Sequence, residues 1–313
     1  MATSWRDFTE IPWECDFRTH PARAPLEGVL IETRDDRKLL EYTLRNFSCM
    51  LPFASLTIFH SPANAETVRA IIGPDTNIRF INLGRDLNRD TWNALVLSLE
   101  IWEQVHGERV LIFNTDTGIK RSDFLRYMHF TWIGAAWDKS PNGDPRLFQG
   151  NGGFSIRDPK ALVEIIKNSN LTPEEAANAN TRPEDVFFCS RLVNMGAVLP
   201  SWSVANTFST EGWHSQPPWT VGFHAACVWC PESKTVYAPI EGPTRRLFDV
   251  RTATIDGRDC TDLVRIGVGP KGLFIGEGTR LGGQRLVIND VHEYVLENGA
   301  VTRDIKLEAE YNP

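Results

Sequence analysis

The sequence predicts an α/β protein: a mostly parallel sheet with flanking helices, followed by a small all-β domain. Three observations carry that expectation. Strand-like segments of five or six residues, 28–32, 55–60, 78–82 and 109–113, alternate with amphipathic helical stretches. Strands and helices alternating at these lengths build a parallel sheet covered on both faces. Beyond about residue 242, short alternating segments broken by Asp256-Gly257, Gly269-Pro270, Gly282-Gly283 and Asn298-Gly299 replace that pattern and read as all-β.

In chain order, residues 28–32 are the first expected strand. Residues 36–51 follow as a helix, with Leu40, Leu44, Phe47 and Leu51 on one face and Pro52 as its stop. Residues 55–60 are the second strand, 64–72 a short helix ended by Gly73-Pro74, and 78–82 the third strand. Residues 90–106 read as one helix that buries Leu95, Leu99 and Trp102, and 109–113 as the fourth strand. A short helix capped by Ser122-Asp123 and a strand over 130–134 come next. Gly150-Asn151-Gly152-Gly153 leads into another strand, and Asp158-Pro159 opens a helix over 159–167 with an N-cap and a proline at its first position. Residues 171–182 are polar and loop-like, and Pro183-Glu184-Asp185 opens a helix to about Asn194, closed by Gly196. A boundary near Gly242 divides the chain into residues 1–242 and 243–313.

Composition narrows the function classes. The 313 residues carry 42% hydrophobic and 23% charged side chains, which excludes a disordered or fibrous chain. The net charge of −7 argues against a nucleic-acid partner. No run approaches a membrane-spanning length, and the N-terminus lacks the apolar core of a signal peptide. The six cysteines are scattered, which suits reduced thiols and a cytoplasmic location. Cys227 and Cys230 form a single CxxC without a second pair, and packing is the favoured reading. Ten tryptophans are an unusual number, and aromatics outside periodic segments stack on sugars as readily as they fill cores.

Ligands of open α/β sheets sit beyond the carboxyl ends of the strands. There the sequence places Thr33-Arg34 after the first strand and Asn114-Thr115-Asp116-Thr117 after the fourth. A carboxylate such as Asp116 at that position suits a divalent cation, which would neutralise a diphosphate. Aspartate also ends strands and starts turns, so the tripeptide alone is a weak signal. The glycines of Gly150-Asn151-Gly152-Gly153 permit close backbone approach to a ligand, and also a tight turn. Glu184-Asp185 at a helix start suits the helix dipole or, functionally, a general base. His224 is a candidate metal ligand beside Asp116, with His214 competing for the role. Thr33-Arg34-Asp35-Asp36 lacks the glycine-rich loop of a nucleotidyltransferase, which argues against that class.

The order of these segments resembles a family. The chain reads Ile-Glu-Thr-Arg34, then Leu44-Arg-Asn46, Trp92-Asn93, Val110-Leu-Ile-Phe-Asn-Thr-Asp116 and Trp132-Ile-Gly-Ala-Ala-Trp137. It continues with Gly150-Asn-Gly-Gly-Phe-Ser-Ile-Arg157, Glu184-Asp-Val-Phe-Phe188 and Gly222-Phe-His224. Over residues 27–226 this resembles a glycosyltransferase-like family, catalogued as a domain of unknown function and related to the GT-A nucleotide-sugar transferases.

The resemblance implies a GT-A-like, Rossmann-type fold and metal-assisted transfer of a sugar from a nucleoside-diphosphate sugar, with UDP as the expected nucleotide. The acceptor would be a hydroxyl on a glycan or glycoconjugate, and the displacement inverting. By position, Asp116 looks like the last residue of an Asp-x-Asp signature and His224 like the second ligand of a Mn²⁺ or Mg²⁺ ion. Asp185 looks like the general base, with Glu184 beside it; Thr33, Arg34, Asn114 and Thr115 would face the donor, and Asn151, Gly152 and Gly153 would frame the sugar. Trp137 and Trp213 are the acceptor-stacking candidates, with Trp202 and Trp219 behind them. Asn114 departs from the full signature and adds no charge, which leaves open a non-catalytic sugar- or nucleotide-binding protein on the same fold.

Overall fold

The computed structural model describes residues 2–3, 15–137, 147, 150–178, 183–211, 220–224, 236–237 and the strands from residue 244 onward. The first half alternates as expected: β1 (Leu26–Ile31), α1 (Arg37–Met50), β2 (Ser55–His60), α2 (Ala65–Ile72), β3 (Arg79–Asn82), α3 (Arg89–Val96), α4 (Leu99–Trp102) and β4 (Arg109–Phe113). Then come β5 (Thr117–Ile119), β6 (Trp132–Ile133), β7 (Phe154–Arg157), α5 (Pro159–Lys167), α6 (Pro173–Ala176), α7 (Glu184–Asn194), α8 (Trp202–Phe208), β8 (Ser209–Glu211) and β9 (Gly222–His224).

The central sheet has the order β3-β2-β1-β4-β7-β6. β3, β2, β1 and β4 are parallel, whereas β7 runs antiparallel to both β4 and β6. The mostly parallel α/β architecture is therefore the one observed. Side chains alternate across the strands and divide the core in two. Leu30, Ile58, Leu111 and Ile156 face a cluster with α1 and α2, including Leu40, Leu44, Phe47 and Val68. Val29, Ile31, Phe59, Val110 and Ile112 face the other, with Leu95, Trp102, Leu162 and Phe188 of α3, α4, α5 and α7. Both faces of β1 and β2 are buried, and the polar side chains they carry, Glu27, Ser55, Thr57 and His60, are buried with the apolar ones.

A second, three-stranded sheet, β5-β9-β8, positions the site. α1 stands in for a fourth strand beside it. The Asn46 side chain donates to the Ile119 carbonyl (3.0 Å) and accepts from its N–H (2.7 Å), as a neighbouring strand would. Tyr42 donates to the Thr117 carbonyl (3.2 Å) and Thr43 to that of Thr115 (3.4 Å).

Four expectations are corrected. The helix expected over 90–106 is two: α3 ends at Val96 with Leu97 as its C-cap, and Ser98 caps α4 by accepting the Glu100 N–H (3.2 Å). The stretch 171–182 contains α6, opened by a capping box between Thr172 and Glu175 that the Thr-x-x-Glu spacing encodes. Leu125–Tyr127 is a 3₁₀ turn without a side-chain cap, because Phe124 and not Ser122 or Asp123 stands at its N-cap; Asp123 pairs with Arg121 and Arg126. The thiols are not all reduced: Cys15 and Cys49 form a disulfide with Cα atoms 5.2 Å apart. Cys189 is a buried free thiol, and Cys227, Cys230 and Cys260 lie outside the described residues.

Every described residue beyond 243 is in a strand. β10 (Thr244–Ile255), β11 (Arg258–Asp259), β14 (Leu286–Glu297) and β15 (Ala300–Tyr311) form an antiparallel sheet in the order β11-β10-β14-β15. β12 (Ile266–Gly269) and β13 (Gly272–Ile275) form a separate antiparallel pair. Ile255 pairs opposite Arg258 and Glu297 opposite Ala300, while Asp256-Gly257 and Asn298-Gly299 between them lie outside the described residues. The boundary near Gly242 falls outside the described residues.

Candidate functional site

Two strand-end loops form the first rim. Just past β1, the buried Glu32 carboxylate accepts the backbone N–H groups of Thr33 (2.9 Å) and Arg34 (2.8 Å). It also takes the Arg34 guanidinium through two oxygens, at 3.0 and 2.6 Å, and the Thr115 hydroxyl at 3.0 Å. Arg34 in turn donates to Thr115 (3.0 Å). Burial alone would raise the Glu32 carboxyl, but the hydrogen bonds from Arg34 and Thr115 outweigh it and hold the group below its ordinary value. Glu32 thus joins the loop after β1 to the loop after β4. The Arg34 side chain is 70% exposed, and the Asp116 charge lies close enough to reinforce its own.

Strand register explains the next pair. After β4 the chain makes a turn in which Thr117 donates to the Asn114 carbonyl through both N–H (3.2 Å) and hydroxyl (2.7 Å). β5 then pairs with β9 so that Thr117 lies opposite His224. That register brings His224 Nε2 to 3.6 Å from Asp116 Oδ1, across 108 residues of chain. The separation is past a good hydrogen bond. Two donors each about 2.1 Å from one ion lie at most about 4.2 Å apart, so the pair fits a shared divalent cation. Among the described residues no group of three His, Cys, Asp or Glu side chains converges to hold a metal. A two-donor site of this kind suits an ion whose remaining ligands are phosphate oxygens and water.

The second rim is built from the glycine loop and the start of α7. Asn151 closes a turn by accepting the Gly153 N–H (2.7 Å). A Cβ at Gly153 would collide with the His224 imidazole, and one at Gly152 with the Glu184 carboxylate. Only glycine lets this loop lie against both. Gly152 donates its N–H to Asp185 Oδ2 (3.2 Å), and Asp185 Oδ1 accepts the Val186 N–H (2.8 Å). Pro183, at the N-cap of α7, offers no side-chain acceptor. Asn93 of α3 caps the helix from outside, accepting the Glu184 N–H at 2.9 Å and donating to Ala176 at 2.6 Å.

Glu184 is held by Arg157 in a two-pronged ion pair, both contacts 3.0 Å. Burial pushes the Glu184 carboxyl up to about 7, against the pull of Arg157. Arg157 has no exposed surface. It also donates to the Gly152 carbonyl (2.7 Å) and to Ser155 (2.8 Å), and lies 4.0 Å from the Trp132 ring centre.

Asp116, His224, Gly152, Gly153, Glu184 and Asp185 therefore meet at one locus, with Arg34 and Thr115 beside Asp116. The Thr33 side chain is directed elsewhere: it is buried and accepts the Leu87 N–H (2.9 Å). Asn114 contributes its backbone to the turn, and its N–H donates to the Gly153 carbonyl (3.1 Å). Trp137 is half-buried against the second core cluster. Trp213, Trp219 and His214 lie outside the described residues, as does the side chain of Trp202. Glu32, Asn93 and Arg157 had no role assigned from the sequence. Each sits in a quoted motif, but its function depends on a partner distant in the chain or on burial that the motif does not display.

Residues 77–224 match a family described as a protein of unknown function, DUF5672. The resemblance to a domain of unknown function holds over that segment. No curated protein matches the sequence. Among solved structures, the mannosyltransferase PcManGT from Pyrobaculum calidifontis, in complex with GDP-Man and Mn²⁺, is similar at 13% identity over 62% of this chain and 59% of its own, with a TM-score of 0.41. This chain thus spans less than two thirds of that enzyme's length. The galactosyltransferase LgtC, in complex with donor and acceptor sugar analogs, is similar at 14% identity over 63% of this chain and 86% of its own, with a TM-score of 0.39. Mouse xyloside xylosyltransferase 1 is similar at 12% identity over 64% and 98%, with a TM-score of 0.41.

Proposed function

We propose that this protein is a glycosyltransferase that moves a sugar from a nucleoside-diphosphate sugar, with UDP as the nucleotide, to a hydroxyl of a glycan or glycoconjugate, with inversion. The observation that carries the reading is the convergence of Asp116, His224, Gly152–Gly153 and Asp185 from four separate segments at the carboxyl ends of the strands. Asp185, half-buried, takes the proton of the acceptor hydroxyl while that oxygen bonds the anomeric carbon. The bond from carbon to diphosphate breaks on the opposite face, and the leaving group departs with the electron pair toward Arg34. Asp116 and His224 would hold a Mn²⁺ or Mg²⁺ ion, which supplies Lewis-acid stabilisation of that diphosphate. Glu184 does not share the base role, because it is buried and its carboxylate is gripped through both oxygens by the enclosed Arg157. Trp137 and Trp213 remain the acceptor-side aromatics of this reading.

The test is release of UDP from a panel of UDP-sugars by the purified protein with Mn²⁺. Asp185→Asn should abolish turnover and leave UDP affinity nearly intact, whereas Asp116→Ala should weaken Mn²⁺-dependent UDP binding. Wild-type rates in both variants would refute these assignments. Asn114 and the two-donor site favour a second reading, a binding protein without turnover. UDP binding with no UDP release from any donor would select it. A cytoplasmic location belongs to the same proposal. The Cys15–Cys49 disulfide weighs against it, and thiol counting on protein isolated under alkylation decides.

A further inference from the structure

Arg157 makes no contact in the reaction outlined above, yet it is the one charged side chain among the described residues with no exposed surface. Enclosing a guanidinium is costly unless its donors are satisfied. Here they are engaged by groups that all belong to the second rim. Nη1 and Nη2 grip the two oxygens of Glu184, Nη2 also donates to the Gly152 carbonyl, and Nε donates to Ser155. Ser155 passes its own hydroxyl to that same Gly152 carbonyl (2.8 Å). The guanidinium lies over the Trp132 ring, 4.0 Å from its centre, and Trp132 Nε1 donates to the Gly150 carbonyl (3.2 Å).

Gly152 is consequently held at both ends. Its carbonyl is fixed by Arg157 and Ser155, and its N–H meets Asp185 Oδ2. The other oxygen of Asp185 takes the Val186 N–H. Two backbone donors fix the orientation of this carboxylate, which a general base requires. Of the charged and titratable groups, Glu184 and Cys189 of α7 interact with this carboxylate, and Arg157 of β7 and His224 of β9 act on Glu184 beside it.

We propose that Arg157 is a positioning residue for Asp185: by tying the Gly152 carbonyl to the Glu184 carboxylate, it fixes where the Gly152 N–H meets the base. The inference rests on the reading of Asp185 as base and deepens it. Lysine at position 157 would keep the charge but could not bridge Glu184 and Gly152 with one planar fork.

The experiment pairs a resonance with a rate. In ¹⁵N-glycine-labelled protein, the Gly152 amide should titrate with Asp185, and D185N should remove that titration. R157K should at least halve it. In the same variant UDP release from UDP-sugar with Mn²⁺ should fall about 10-fold or more, while UDP affinity stays within about 2-fold. Should R157K fail to fold, Glu184→Gln, which keeps the shape of the pair, must show both losses. An unchanged Gly152 titration, or turnover and UDP affinity falling together, overturns the proposal. Wild-type turnover in D185N overturns the base reading instead, and the amide titration alone then judges the hold of Arg157 on Asp185.

Discussion

Each rim of the cleft is organised by an arginine–glutamate pair, and the two pairs are solvated in opposite ways. In Arg34–Glu32 the arginine side chain is 70% exposed over a carboxylate that is 9% exposed. In Arg157–Glu184 the figures are 0% and 6%. The carboxylates respond in opposite senses: Glu32 is held below its ordinary value, whereas burial drives Glu184 up to about 7. The contrast teaches what each pair is for. A guanidinium braced from beneath but open to solvent remains available to a ligand. A guanidinium enclosed on all sides fixes the protein to itself.

The largest effect that sharpens this contrast is on stability. Arg157→Met leaves Glu184 buried without its partner and should cost about 3–5 kcal/mol in a urea titration. A loss under about 1 kcal/mol would mean that the enclosed pair holds nothing.

The pH dependence comes next, and its signs are opposed. Glu184 rises from 4.5 to about 7, so folding favours its protonated form; its contribution is complete below 4.5 and is lost as pH climbs to about 7. At about 1.4 kcal/mol per unit this is on the order of 3 kcal/mol. Glu32 is lowered, so its contribution is present above 4.5 and lost as pH falls through the depressed value. Unfolding free energies of E184Q and E32Q, each subtracted from wild type between pH 2 and pH 8, should therefore slope in opposite directions, E32Q below 4.5 and E184Q between 4.5 and about 7. Parallel slopes would erase the distinction.

A smaller effect tests the ground between the rims. Gly153→Ala pushes on the His224 ring. It should cost about 1–3 kcal/mol through overpacking, and should weaken UDP binding in Mn²⁺ more than in EDTA. Equal weakening in both would separate His224 from the cation. The smallest stability change belongs to Arg34→Ala, under about 1 kcal/mol because its charge is exposed to solvent screening. UDP affinity should nonetheless fall, and the difference from wild type should shrink at high salt.

How much of this was legible in the sequence differs between the rims in the same way. The four parallel strands, α1, α5 and α7 announced themselves, because short segments rich in Val, Leu, Ile and Phe between amphipathic helices read as strands and caps such as Asp158-Pro159 are local chemistry. The break between α3 and α4 did not, because Leu99 and Trp102 continue a helical stripe across it and only Ser98 marks the restart. Thr33 was expected at the donor because it follows a strand, but packing turned it toward Leu87. Asp116, His224 and Asp185 were legible as candidates by position and type, though nothing local tells that they meet.

The sequence by itself thus determined the alternation of elements, the two-faced core, the glycines that permit close approach and the identity of the chemical groups. All of these follow from periodicity and local propensity. Only the tertiary structure decided which groups share a site. The β5–β9 register carries His224 to Asp116, and the enclosure of Arg157 turns Glu184 from a second candidate base into a brace. Both outcomes depend on burial and on contacts between residues far apart in the chain, and neither leaves a periodic trace in the sequence.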